Sequence, residues 1–300
     1  MPLIDAHVHL YPPEVNRDPA AWAAANGESL WAALCTRKRK KSAAQNSAGG
    51  NPVQLFPSMD ELLRDMDSAG IGRSILLGWY WERPENCVAQ NRFYAECVRT
   101  HPDRLSAFAT VHPAAGNAAL EEVRRAHGEG LIGLGELSPH SQRIALDDPA
   151  WLEIIALAGE LNLPVNLHVT DPDAKPYPGR VETPQEDFIT LALEFPATKF
   201  ILAHWGGGLA FDAEDRALSN LHYDSAASSL MYDWEIWLRA VEAVGAERII
   251  FGSDNPLRLY PKTEVGTGLA AFVHEARTAF TTKVGELVLG GNAQKLLNLS

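Results

Sequence analysis

Eight short apolar runs recur along the chain, and each is followed by a stretch of helical spacing. They are Leu3 to Leu10, Ser74 to Leu77, Leu105 to Val111, Leu131 to Leu137, Pro164 to Val169, Lys199 to Ala203, Asn220 to Asp224 and Arg248 to Gly252. The runs are nearly all apolar rather than alternating, which is the pattern of parallel strands covered on both faces. Such strands either spread into an open doubly wound sheet or close into a ring. The residues that end the runs favour closure: His9, Trp79, His112, Glu136, His168, His204, Asp224 and Asp254 all fall at carboxyl ends. A barrel gathers those ends on one face, whereas an open sheet strings them along an edge. The fold expected is an α/β (β/α)8 TIM barrel, one domain over residues 1–300.

The connecting helices carry boundary signals of their own. Ser58 and Glu61 form a capping box ahead of Leu62, Leu63 and Met66, and Gly70 is a natural stop. Asp148-Pro149 supplies a cap and a first-turn proline for a helix over Trp151 to Leu161. The first connection is the exception. Residues 11–57 separate strand one from the next helix, against about 2–6 residues in an ordinary βα loop. Trp22, Leu30, Trp31 and Leu34 predict one amphipathic helix there, and the basic run 37–41 with the polar stretch after it predicts a solvated loop. In a barrel this insertion would lie over the mouth as a lid.

Composition excludes several partners. Three hundred residues with 46% apolar content suffice for one large core. A formal net charge of -12 disfavours nucleic acid and membrane surfaces and leaves small molecules as the expected partners, with homo-oligomerisation open. Cys35, Cys87 and Cys97 have no framework spacing, so a reducing compartment is expected. No apolar run reaches spanning length and no basic stretch precedes an apolar leader, which makes the cytoplasm the expected location.

The chemistry gathers around Asp5-Ala6-His7-Val8-His9. On an extended strand Asp5, His7 and His9 share a face, and two imidazoles on one face can grip a cation. His168, His204 and Asp254 add three metal-favouring side chains at strand ends. Together with Ala203-His204-Trp205-Gly206-Gly207, Gly252-Ser253-Asp254-Asn255-Pro256 and Gly291-Asn292-Ala293, this opening resembles the amidohydrolase superfamily. It is most similar to the amidohydrolase-2 branch, which includes aminocarboxymuconate-semialdehyde decarboxylase and related hydrolases. The resemblance covers almost the whole chain. It implies that His7, His9, His168 and Asp254 bind a divalent metal, zinc first and manganese second. It also implies that His204 stands beside the metal-bound water as a base or orienting group.

Neutral imidazoles with a carboxylate suit such an ion, and an open coordination position would activate water. Glu136 is expected to contact metal or water, since a buried glutamate is costly unless paired. Asp5 is expected to be structural, and Asp224 either structural or functional. Trp79, Trp81 and Trp205 are expected to wall a substrate pocket, with Arg258 or Arg180 as a cation for a carboxylate. The function expected is metal-dependent hydrolysis of a small carboxylated or aromatic substrate through Asp254 and His204. A nonoxidative decarboxylase of an aromatic or unsaturated acid is the alternative, and a non-catalytic metal-binding barrel is the third reading.

Overall fold

The structure, a computed structural model, describes residues 2–35, 53–211, 218–263 and 266–299. The basic run 37–41 lies outside the described residues. Among these residues the eight expected strands form: β1 Ile4–Val8, β2 Arg73–Leu76, β3 Leu105–Ala107, β4 Leu134–Leu137, β5 Val165–Leu167, β6 Phe200–Leu202, β7 Leu221–Asp224 and β8 Ile249–Ile250. All neighbouring pairs are parallel, in two arcs, β1-β2-β3 and β4-β5-β6-β7-β8. Backbone hydrogen bonds carry the ring across both gaps. Ala109 N–H donates to Gly133 O and Gly135 N–H to Ala109 O, each at 2.8 Å, while Ala6 N–H donates to Phe251 O at 2.9 Å and His9 N–H to Asn255 O at 2.7 Å. Parallel bridges at Ala109–Leu134 and Val8–Asn255 mark the two seams.

The helices that follow the insertion are α4 Met59–Ala69, α5 Pro84–Thr100, α6 Asn117–Gly128, α7 Pro149–Glu160, α8 Gln185–Glu194, α9 Ser228–Met231, α10 Ile236–Val244, α11 Leu269–Ala279, α12 Thr282–Glu286 and α13 Asn292–Leu296; α1 to α3 lie within it. The Ser58–Glu61 capping box forms in both directions, Gly70 ends α4 in the left-handed conformation, and Asp148 caps α7 by accepting from Ala150 N–H at 2.9 Å. One extended core joins strands to helices, with Trp151, Trp205, Trp237 and Phe251 buried in it. A second cluster sets Ile4, Ile75, Phe108, Ile201 and Ile250 against Ala293 and Leu296 of α13. Among the described residues no helix is long and apolar enough to cross a membrane.

The insertion differs from the single helix expected. It holds α1 Pro13–Arg17, α2 Pro19–Asn26 and α3 Ser29–Cys35. Asp18 separates the first two and caps α2 through Ala21 N–H at 3.1 Å, and Gly27, at φ 73°, ends α2 in the left-handed region. Two glutamates fasten it to the barrel by reciprocal caps. Buried Glu28 accepts from Glu82 N–H at 2.8 Å, Arg83 N–H at 3.0 Å and Asn86 Nδ2 at 2.7 Å, at the start of α5. Glu82 in return accepts from Leu30 N–H at 2.7 Å and Ser29 Oγ at 3.1 Å, at the start of α3. Glu28 thus satisfies the N–H groups that lead into α5, and Glu82 one of the free N–H groups at the start of α3. The seam is filled by Tyr11, Trp31 and Trp81.

Glu28→Ala leaves those donors without an acceptor, so it is expected to cost about 1–3 kcal/mol. It should also expose residues 11–35 to proteolysis before the barrel is cut. A denaturation midpoint and cleavage pattern equal to those of the parent would refute this account.

Candidate metal centre

The site is built from the strand ends, and its order begins with which ring nitrogen each histidine spends on the scaffold. His7 Nδ1 lies 2.9 Å from Asp224 Oδ2, His9 Nδ1 3.0 Å from Leu77 O, and His204 Nδ1 3.1 Å from Ala226 O. A carbonyl or carboxylate oxygen can only accept, so each Nδ1 carries the proton and each Nε2 faces the centre. His168 is turned the other way, with Nδ1 2.8 Å from Glu136 Oε1 and Nε2 3.4 Å from Thr170 Oγ1. Asp5 accepts from Ser253 Oγ at 2.6 Å and Ser253 N–H at 2.9 Å, tying the chain after β8 to β1. Burial pushes its carboxyl up to about 6 against those bonds.

Two carboxylates complete the cluster. Glu136 lies between two groups of imidazoles: Oε2 is 3.7 Å from His9 Nε2 and 4.0 Å from His7 Nε2, while Oε1 faces His168 and sits 3.5 Å from His204 Nε2. Asp254 divides likewise, with Oδ1 3.5 Å from His9 Nε2 and Oδ2 3.9 Å from His204 Nδ1. The donor atoms of His7, His9 and Asp254 all lie within 4.8 Å of one another, as do those of Glu136, His168 and His204. His168 therefore stands in the second group rather than beside His7 and His9.

This donor set fits a divalent ion. His7 and His9 bring their Nε2 atoms to 3.2 Å although both Nδ1 protons are committed elsewhere, so a proton or a cation must lie between two converging lone pairs. Without the ion the protein must supply protons. Against burial, Asp224, Glu136 and Asp254 raise His7 to about 10, and against burial, Glu136 and Asp254 raise His204 to about 9. Burial and the neighbouring His7 push His9 down to about 3. Burial raises Asp254 to about 7 against the attraction of His7 and His204. Burial would raise Glu136 as well, but His168, His204 and His7 hold it well below the carboxylate range.

The backbone is strained where the site is made. His204 and Trp205 have φ 57° and 59°, and Asp254 has φ 66°, all left-handed. Such a conformation costs a non-glycine residue about 1–2 kcal/mol. It is offset by His204 N–H donating to Asp224 Oδ1 at 3.0 Å and Asp254 N–H to His7 O at 2.9 Å. The glycines after Trp205 allow close approach: a Cβ on Gly207 would stand 2.9 Å from Val169 Cγ1 and 3.0 Å from Thr170 O.

Not every expected residue faces this centre. Trp79 does, at 5.4 Å from the His9 ring. Trp81 points into the insertion, its indole N–H donating to Gln90 Oε1 at 2.6 Å, and Trp205 is in the core, bonded to Ser228 Oγ at 2.8 Å. Both are corrections to the expected pocket wall, because each ring is enclosed by other aromatics. Arg258 is half-buried where the insertion returns, its N–H donating to Val53 O at 2.9 Å. Arg180 turns back on its own loop, toward Asp171 O, Pro172 O and Glu182. His112 accepts from Ala114 N–H at 3.2 Å as a helix cap. The structure instead brings in Tyr80, 5.1 Å from the His168 ring, which strand alternation would place opposite Trp79. A groove of about 540 Å³ between α4 and α11 shares no residue with this cluster.

Residues 4–299 match the family model described as Amidohydrolase. Among solved structures the chain is similar to 2,6-dihydroxybenzoate decarboxylase from Rhizobium, at 20% identity and TM-score 0.67 over 100% of this chain and 99% of that one. It is also similar to 5-carboxyvanillate decarboxylase from Novosphingobium aromaticivorans, solved with manganese and 4-hydroxy-3-methoxy-5-nitrobenzoic acid, at 17% identity and TM-score 0.73 over 99% and 96%. A third is a probable 2-pyrone-4,6-dicarboxylic acid hydrolase from Acinetobacter baumannii, at 15% identity and TM-score 0.62 over 100% of both chains.

Two outcomes are expected of the centre. Because an ion needs the His7 Nε2 lone pair, which is protonated in its absence up to about pH 10, divalent-ion affinity should rise with pH toward about pH 10, with proton release seen calorimetrically across buffers of different ionisation enthalpy. Asp224→Ala should lower that affinity about 10–100-fold in equilibrium dialysis, since His7 loses the partner that orients it. Affinity independent of pH would contradict the first, and affinity equal to the parent's the second.

Proposed function

The chain belongs to the amidohydrolase family, and from that membership we propose that it is a metal-dependent, nonoxidative decarboxylase of a small aromatic acid. The observation that carries the choice is the flat wall beside the candidate ligands. Trp79 and Tyr80 stack at 4.4 Å and 27°, one edge against His9 and the other against His168. A planar ring lying on that wall would set its substituent oxygens toward the imidazoles. The two decarboxylases that share the fold support the reading, as does the manganese in one of them. Mixed imidazole and carboxylate donors suit manganese as well as zinc.

A bound divalent ion would hold the substrate oxygens and stabilise negative charge as carbon dioxide leaves. His7, His9 and Asp254 Oδ1 would hold that ion, with Glu136 or His168 beside it. In the reaction the bond from ring carbon to carboxyl carbon breaks, and the electron pair left on the ring carbon takes a proton. Asp254 Oδ2, turned away from His7 and His9, is placed to carry that proton, and His204, 3.9 Å away on its far side, acts on it through its charge. The described part of the insertion, residues 11–35 and 53–57, would act as a lid that excludes water from the ring carbon.

Hydrolysis is the second reading, and one observation favours it. Glu136 faces both ligand groups with different oxygens, so it would help hold a divalent ion in either, and such an ion would supply an activated water. Asp254 Oδ2 would then accept the water's proton.

A panel of hydroxybenzoates, esters, lactones and amides offered to manganese-loaded and zinc-loaded protein separates the two. The expected result is release of carbon dioxide from a hydroxybenzoate without oxygen or an organic cofactor. Asp254→Asn should abolish turnover, and His204→Asn should slow it by about 10² to 10⁴. Cleavage of an ester, lactone or amide with every acid left intact would replace this assignment with the hydrolase.

A further inference from the structure

We propose that Tyr80 selects the substrate of this site, its ring forming the face on which a planar acid lies and its hydroxyl donating a hydrogen bond to a substrate oxygen. The inference rests on the aromatic-acid reading and deepens it by naming the residue that enforces ring planarity.

The segment that carries Tyr80 is fixed on both sides. Trp79 N–H donates to Gln90 Oε1 at 2.8 Å, and Thr110 Oγ1 donates to Trp79 O at 2.7 Å. Beyond it, Gln142 Nε2 donates to Trp81 O at 3.0 Å, and Glu28 accepts from Glu82 N–H. Trp81 N–H also donates to Trp79 O at 2.9 Å, closing a three-residue turn around Tyr80. That turn ends strand alternation and separates the three rings. Trp81 goes into the insertion, while Tyr80 projects to His168.

A second set of contacts draws the turn over the ligands. Gly78 exchanges two backbone hydrogen bonds of 2.6 Å, its N–H donating to Gly135 O and its carbonyl accepting from Glu136 N–H. A Cβ on Gly78 would stand 2.6 Å from Thr110 Cβ and 3.2 Å from Thr110 N, so only glycine permits this approach. Tyr80 is thereby held beside Glu136 and His168 with 3% of its surface exposed.

Its hydroxyl has no hydrogen bond to another described residue, whereas Tyr94, buried in the neighbouring helix, donates to Leu77 O at 2.7 Å. A phenol is un-ionised at neutral pH and donates one hydrogen bond. Beside the carboxylates of Glu136 and Asp254, a neutral donor is what an anionic ligand needs from the chain. The ring supplies shape: a flat ligand stacks on it, whereas a puckered ring meets it at only a few atoms.

The test uses the full chain loaded with manganese, the parent beside Tyr80→Phe and Tyr80→Leu, each checked for metal content. Binding of 2-hydroxybenzoate and cyclohexanecarboxylate is measured by calorimetry. Tyr80→Phe should bind 2-hydroxybenzoate about 10-fold more weakly while keeping the preference for the planar acid, and Tyr80→Leu should lose about 10-fold of that preference. Loaded variants with the parent's affinity and preference would overturn the proposal. If the parent binds 2-hydroxybenzoate but no hydroxybenzoate loses carbon dioxide, the decarboxylase reading fails and the two variants still decide the role of Tyr80. If the parent binds neither acid, the aromatic-acid reading and the Tyr80 assignment fall together.

Discussion

The carboxylate of Asp224 is the contact on which the site depends. It takes His7 Nδ1 and Asn166 Nδ2 on one oxygen and the N–H groups of His204 and Ala226 on the other. Four donors from β1, β5 and the segments after β6 and β7 therefore meet on one fully buried group. An ionised carboxylate in such a place is tolerated because every lone pair has a donor, and His7 and His204 then lower its proton affinity despite the burial. With Asp224 in place, His7 has a fixed tautomer and His204 a fixed backbone. Without it, both would be free to turn.

Strain and close approach follow from the same geometry. His204 and Asp254 both occupy left-handed backbone, which puts their side chains over the mouth of the barrel rather than along its wall. Close approach in the same segment as His204 requires glycine at 207, where a Cβ would stand 3.0 Å from Thr170 O. The cost falls on the site and is met by hydrogen bonds from the strands on either side.

The insertion is joined to the barrel through polar contacts as much as through its aromatic seam. Glu28 and Glu82 each finish a helix in the other segment, so the insertion and the turn that bears Trp79 and Tyr80 are ordered together. A change in the insertion is thereby felt at the wall of the proposed substrate slot, even though its described residues supply none of the candidate ligands.

By itself the sequence determined the barrel, because burial on both faces leaves a long apolar run for each strand and helix caps are local chemistry that Ser58, Glu61, Gly70 and Asp148 announce. It also determined that His7, His9, Glu136, His168, His204 and Asp254 lie at strand ends, since strand position is a one-dimensional property. Tertiary structure decided what each of them touches. The grouping of His168 with Glu136, the partner that orients His7, the turn of Trp81 into the insertion and of Trp205 into the core, and the turn of Tyr80 toward His168 all depend on contacts between residues far apart in the chain. The split of the insertion into three helices was half legible: Asp18 and Gly27 are helix-ending residues in plain view, but the caps that make the break worthwhile come from Glu28 and Glu82 acting across more than 50 positions. A side chain's direction at the end of a strand is set by whichever distant atom satisfies it, and no local pattern encodes that atom.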